Sequence, residues 1–102
     1  MIRVHIFYPP SPRFDMAYYC ERHMPMVKAR LGDACTGYTI DAGLAGGAAG
    51  APPTYAAVGA LLLTSVEALQ AGLAQHGAEI MGDVANYTDA QPILQISEIL
   101  VG

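Results

Sequence analysis

A chain of 102 residues, 53% hydrophobic and only 14% charged, has the size of one domain and carries more apolar sequence than a single small core absorbs. Its net charge of −4 argues against nucleic acid as a partner, because phosphates need Lys/Arg neutralisation. The longest apolar run, residues 55–63, is far short of the roughly 20 residues a membrane-spanning helix needs. The start, MIRVHIFYPP, lacks the apolar run and cleavage site of a secretory signal, so a cytoplasmic protein is expected. Cys20 and Cys35 form neither a CxxC nor a zinc spacing, and the three histidines fall on separate elements, so no metal site is expected.

Residues 2–8 alternate as a strand, with Ile2, Val4, Ile6 and Tyr8 on one face and Arg3, His5 and Phe7 on the other. Pro9, Pro10 and Pro12 end it, since none can donate to a ladder. Residues 14–32 then read as a helix capped by Asp15 and stopped by Gly32. At 100° per residue Met16, Cys20, His23, Val27 and Leu31 share a narrow inner stripe, flanked by Tyr19. Pro25 cannot donate to the carbonyl of Glu21, so a kink or restart is predicted there.

Residues 35–41 form a second strand, and residues 43–53 (GLAGGAAGAPP) a long flexible hairpin loop with nothing to bury. A third strand, residues 55–63, is apolar on both faces and therefore central. Ser65 caps a second helix with Val66, Leu69, Leu73 and Ile80 inside and His76 at its edge. Gly72, Gly77 and Gly82 weaken that helix by roughly 1 kcal/mol each relative to Ala, and a break near its end is predicted. A polar turn at residues 86–89 and Pro92 lead into a last strand, residues 93–101.

The order β-α-β-β-α-β, with right-handed crossovers, gives an α+β, ferredoxin-like fold: a four-stranded antiparallel sheet with both helices on one face. The other face also carries apolar side chains, which predicts a homodimer in which two sheets face each other, burying upwards of about 2,000 Å². His5 lies on that face.

His23 is the first candidate for chemistry, because imidazole changes charge near neutral pH; the alternative is a core histidine hydrogen-bonded to a carbonyl. Asp89, in the turn, is the candidate carboxylate to orient it, or else an Asx cap. Tyr8, with Tyr19 and Tyr38 as weaker cases, is a candidate ligand contact, since a buried tyrosine hydroxyl needs a partner. Tyr87, in the same turn as Asp89, is a further candidate ligand contact. Val4 and Val27 complete the expected cavity wall. The glycines at 43–50 precede a strand and carry no Lys-Ser/Thr, which speaks against a phosphate loop.

FD followed by YY, then HMPMVKARLG, the Gly/Pro-rich hairpin, EIMGDVANYTD and PILQISEIL resemble the EthD-type family of the dimeric α/β-barrel superfamily. The resemblance spans essentially residues 1–102 as a single domain. It implies a dimer with a small-molecule cavity between helices and sheet in each subunit. Cousins include lactone isomerases and polyketide cyclases without cofactors, quinol-type monooxygenases and haem-binding enzymes. Some cyclase cousins carry a catalytic histidine near the position of His76, which is retained as a further candidate. The absence of tryptophan departs from the Asn-Trp-His pattern of some monooxygenase cousins. The expected function is binding of an apolar or aromatic metabolite, with cofactor-free isomerase- or cyclase-like acid/base chemistry. The alternatives are an oxidoreductase or accessory component of ether-type compound degradation, and a non-catalytic ligand-binding dimer.

Overall fold

The computed structural model describes residues 1–102. The strand β1 (Ile2–Tyr8) is followed by a helical segment in three parts: α1 (Met16–Tyr18), a π turn (Tyr19–His23) and α2 (Met24–Leu31). Then come β2 (Cys35–Ala42), β3 (Ala57–Leu63), α3 (Val66–Gly82) and β4 (Ile93–Glu98), with short 3-10 turns at Gly32–Ala34 and Val84–Asn86. The sheet order is β2-β3-β1-β4 and every pairing is antiparallel, which is the ferredoxin-like α+β arrangement.

The alternation in β1 decides the layers. Ile2, Val4, Ile6 and Tyr8 are buried under the helices, opposite Leu63, Leu61, Gly59 and Ala57 of β3. Their neighbours Arg3, His5 and Phe7 lie half-buried on the other face, beside Leu62, Ala60 and Val58. Phe7 packs against Tyr55 at 4.9 Å and His5 stacks on Phe7 at 5.7 Å. The His5 Nδ1 is buried there without a hydrogen-bond partner.

The caps are where the residue types place them. Asp15 accepts from the Tyr18 N–H and Ser65 from the Ala68 N–H, each satisfying an orphan donor of a first turn. Gly32, at φ 64°, supplies the backbone conformation that stops α2.

At Pro25 the helix restarts, one of the two outcomes expected: the turn before it widens, the Met24 N–H reaching back five residues to the carbonyl of Tyr19, and α2 begins with Pro25 in its first turn. Three other expectations are corrected, the first by the residue that this wide turn inserts. That extra residue shifts the helical phase, so Tyr19 and Met24 are buried while Cys20 is exposed. Helix α3 does not break at its glycines. A Cβ at Gly72 would lie 2.5 Å from Leu31 Cδ2, so this glycine lets α3 pack closely on α2. β4 ends at Glu98, opposite Ile2, because β1 offers no further partner; Leu100 and Val101 are exposed beyond it. The loop between β2 and β3 does fold back on itself, with the Gly43 N–H on the Ala56 carbonyl and the Gly46 N–H on the Ala51 carbonyl. No helix is long and apolar enough to cross a membrane.

Candidate functional site

Between the helices and the β1–β4 half of the sheet lies a cavity of about 360 Å³. Val4, Ile6 and Tyr8 form its floor, Val27 and Ile80 its helical walls, and Leu94 and Ile96 its side. Sixteen residues surround it, and only His23 and Tyr8 among them carry polar side-chain atoms. Leu94 and Ile96 are about half exposed, so the cavity opens along the β4 edge. A second, more polar recess adjoins it, sharing Met81, Val84 and Pro92 and adding Thr88, Asp89 and Gln91.

His23 is the last residue of the π turn and is 3% exposed. Its Nδ1 sits 2.9 Å from Asp83 Oδ2, leaving Nε2 without a protein partner on a ring that lines the cavity. Asp83 caps the C-terminus of α3 and also accepts from the Tyr18 hydroxyl (2.7 Å) and the Asn86 amide (2.9 Å) on Oδ1. Burial works against its charge, but the hydrogen bonds from Asn86, His23 and Tyr18 outweigh burial and hold the carboxyl below its ordinary value. For His23 burial dominates, and the ring sits below its ordinary pKa although Asp83 pulls it upward. The pair is therefore an ionised carboxylate accepting Nδ1–H from a neutral imidazole, which leaves a lone pair on Nε2.

Behind the ring lies a cluster of aromatic side chains. Tyr87 packs 4.7 Å from His23 and 5.1 Å from Tyr19, and its hydroxyl is 2.7 Å from that of Tyr8. Tyr8, Tyr19 and Tyr87 are almost completely buried, and burial is the leading cause that raises all three phenols above their ordinary pKa. They are protonated at any physiological pH.

Of the residues singled out in the sequence, Val4, Tyr8, His23 and Val27 meet at the cavity. Tyr19 and Tyr87 stand behind it as supports. Asp89 is not the partner of His23. It pairs with Arg13 at 3.0 Å on the surface, because the chain after the Val84–Asn86 turn carries it outward while Asp83 faces the ring. Tyr38, half-buried on β2, lies away from the cavity, which occupies the opposite, β1–β4 side of the sheet. His76, half-buried on α3, is not among the lining residues, although α3 forms one wall through Leu69, Leu73, Gly77 and Ile80. Sequence reasoning missed Asp83, Tyr18 and Asn86. One signal was present: a carboxylate at a helix C-terminus opposes the macrodipole and calls for specific partners. No three His, Cys, Asp or Glu side chains gather as a metal-binding group.

The EthD domain model matches residues 9–91. Two solved structures are similar. One is an EthD-like protein from Ralstonia eutropha JMP134, 58% identical, with a TM-score of 0.93, covering 98% of this chain and 92% of that one. The other is an ethyl tert-butyl ether d (EthD) family protein from Bacillus halodurans C-125, which at 15% identity and a TM-score of 0.74 supports the fold alone, over 98% of this chain and 99% of that one. No curated protein matches the chain.

Proposed function

The chain belongs to the EthD family, and from that premise we propose that it binds a small apolar or aromatic metabolite and moves a proton on it. His23 is the base and Asp83 the carboxylate that orients it. The observation that carries this reading is the 2.9 Å His23–Asp83 contact on the wall of an otherwise apolar cavity of about 360 Å³. Asp83 holds the proton on Nδ1, so Nε2 enters the cavity as an acceptor. Proton uptake makes an imidazolium whose positive charge is already paired. Burial keeps the ring neutral at physiological pH, the state a base requires. A single residue that takes and returns a proton suits isomerisation, cyclisation or lactone rearrangement.

The cavity volume matches a small-molecule site, and the scarcity of polar atoms around it favours a neutral ligand, because a carboxylate or phosphate would be buried without a cation. The proposal includes a homodimer. The outer sheet face with Phe7, Leu62 and Val58 supports it. Cytoplasmic residence is in keeping with two unbridged cysteines.

The test needs no identified substrate. Aromatic ketones and lactones incubated with the protein in D₂O should exchange hydrogen next to the carbonyl faster than in buffer, as read by NMR. His23→Gln should keep the fold and slow that exchange by a factor on the order of 10²–10⁴. Exchange no faster than buffer, or undiminished in His23→Gln, contradicts the proposal. Oxygen consumption with any of these compounds would point instead to the oxidative alternative.

A further inference from the structure

The second polar group of the cavity has a constrained hydrogen-bond inventory. Tyr87 Oη has one partner, Tyr8 Oη at 2.7 Å. The Tyr19 hydroxyl is buried with no partner in good geometry, tucked over Gly59, where any side chain would collide with it. Its ring packs edge-on against that of Tyr8, with centroids 5.1 Å apart, and helps to keep water from the Tyr8–Tyr87 pair. That pair has two protons and one hydrogen bond between them. If Tyr8 donated to Tyr87, the Tyr87 proton would be stranded away from water, which is costly. With Tyr87 donating to Tyr8, the proton of Tyr8 is left for the cavity that Tyr8 lines. A donor on its oxygen also makes Tyr8 a stronger donor.

We propose that Tyr8, backed by Tyr87, donates a hydrogen bond to a ligand oxygen, so that the site selects carbonyl compounds over hydrocarbons of the same shape. This rests on the cavity being a ligand site, but not on His23 being a base. Where both hold, His23 Nε2 takes a proton from the carbon next to the carbonyl. The C–H electron pair becomes a C=C bond, the carbonyl π pair moves to oxygen, and Tyr8 stabilises the charge that develops there. Return of the proton at another position completes an isomerisation with no other reactant.

The probe pair is acetophenone and α-methylstyrene, which differ in having C=O or C=CH₂ at one position. Acetophenone accepts hydrogen bonds but donates none, so a neutral His23 cannot account for any preference. Dissociation constants should favour acetophenone in the wild-type protein, and Tyr8→Phe should shift the ratio about 3- to 10-fold towards the hydrocarbon. The carbonyl stretch of bound ¹³C-labelled acetophenone should move to lower frequency in the wild type, and partway back in Tyr87→Phe. That second variant decides the matter if Tyr8→Phe fails to fold, since an unmoved stretch would overturn the assignment. Binding of both probes with a ratio unaffected by Tyr8→Phe would overturn the Tyr8 role while leaving the cavity reading standing. Binding of neither would overturn both.

Discussion

Asp83→Asn is the substitution that most directly separates the carboxylate's charge from its shape. In the wild type Asp83 accepts three hydrogen bonds, from Tyr18 at 2.7 Å, Asn86 at 2.9 Å and His23 at 2.9 Å. The amide oxygen of Asn keeps the first two as neutral bonds, each weaker by about 0.5–1 kcal/mol than its charge-assisted form. The third reverses, because an amide N–H can only donate to His23 Nδ1, which drives the ring proton onto Nε2 and removes the base from the cavity. The net loss of stability should be about 1–3 kcal/mol, or roughly 5–20 °C in Tm for a domain of this size. The pH dependence follows from the lowered pKa of Asp83. Its stabilisation is fully present above the ordinary carboxylate value of about 3.9 and is lost as pH falls through the lower folded value. Calorimetric melts at one fixed protein concentration, from neutral pH down to about pH 3, should therefore show the two proteins converging in acid. Equal stability at neutral pH would show that the Asp83 charge does not stabilise the fold, and so would a gap that persists unchanged at the acid end.

Gly59→Ala places a Cβ against the Tyr19 hydroxyl. It should cost about 1–3 kcal/mol by overpacking, most of it recovered in the Gly59→Ala/Tyr19→Phe double variant, as read from thermal melts. Asp89→Asn removes a pair whose side chains are 44% and 63% exposed. It should change stability by less than about 1 kcal/mol and leave the titration of His23 untouched; a shifted His23 would restore Asp89 as its partner. Light scattering on dilution should show no folded monomer, because separation would uncover the face around Phe7, Leu62 and Val58; a stable monomer at micromolar concentration would contradict the dimer.

The parts of the fold that a local rule determines were legible in the sequence. Strict alternation set the inner face of β1, and Asp15 and Ser65 marked the helix starts at which they cap. His23 reads as inward-facing on a 100° wheel and is buried. The same wheel fails for Cys20, because the π turn inserts a residue that no periodicity contains; its origin, the missing N–H of Pro25, was visible but its outcome was not. The partner of His23 was illegible for a different reason. Asp83 and Asp89 lie six residues apart in a polar stretch, and only the path of the chain through Val84–Asn86 decides which faces the ring. The tyrosine cluster depends on side chains from β1, the π turn and the segment after α3, so its hydrogen-bond inventory exists only in three dimensions.

The proposed chemistry requires that His23 present an unprotonated Nε2 to the cavity while Asp83 holds its Nδ1 proton. Nitrogen-15 NMR of histidine-labelled protein measures this without any ligand. At neutral pH His23 should be neutral, protonated on Nδ1 only, and should titrate below the ordinary histidine value of about 6.5. As pH falls through that ordinary value the unfolded chain takes up the proton that the folded ring resists, so stability should decline with it. An Nε2-protonated ring, or an imidazolium persisting at neutral pH, would contradict that chemistry.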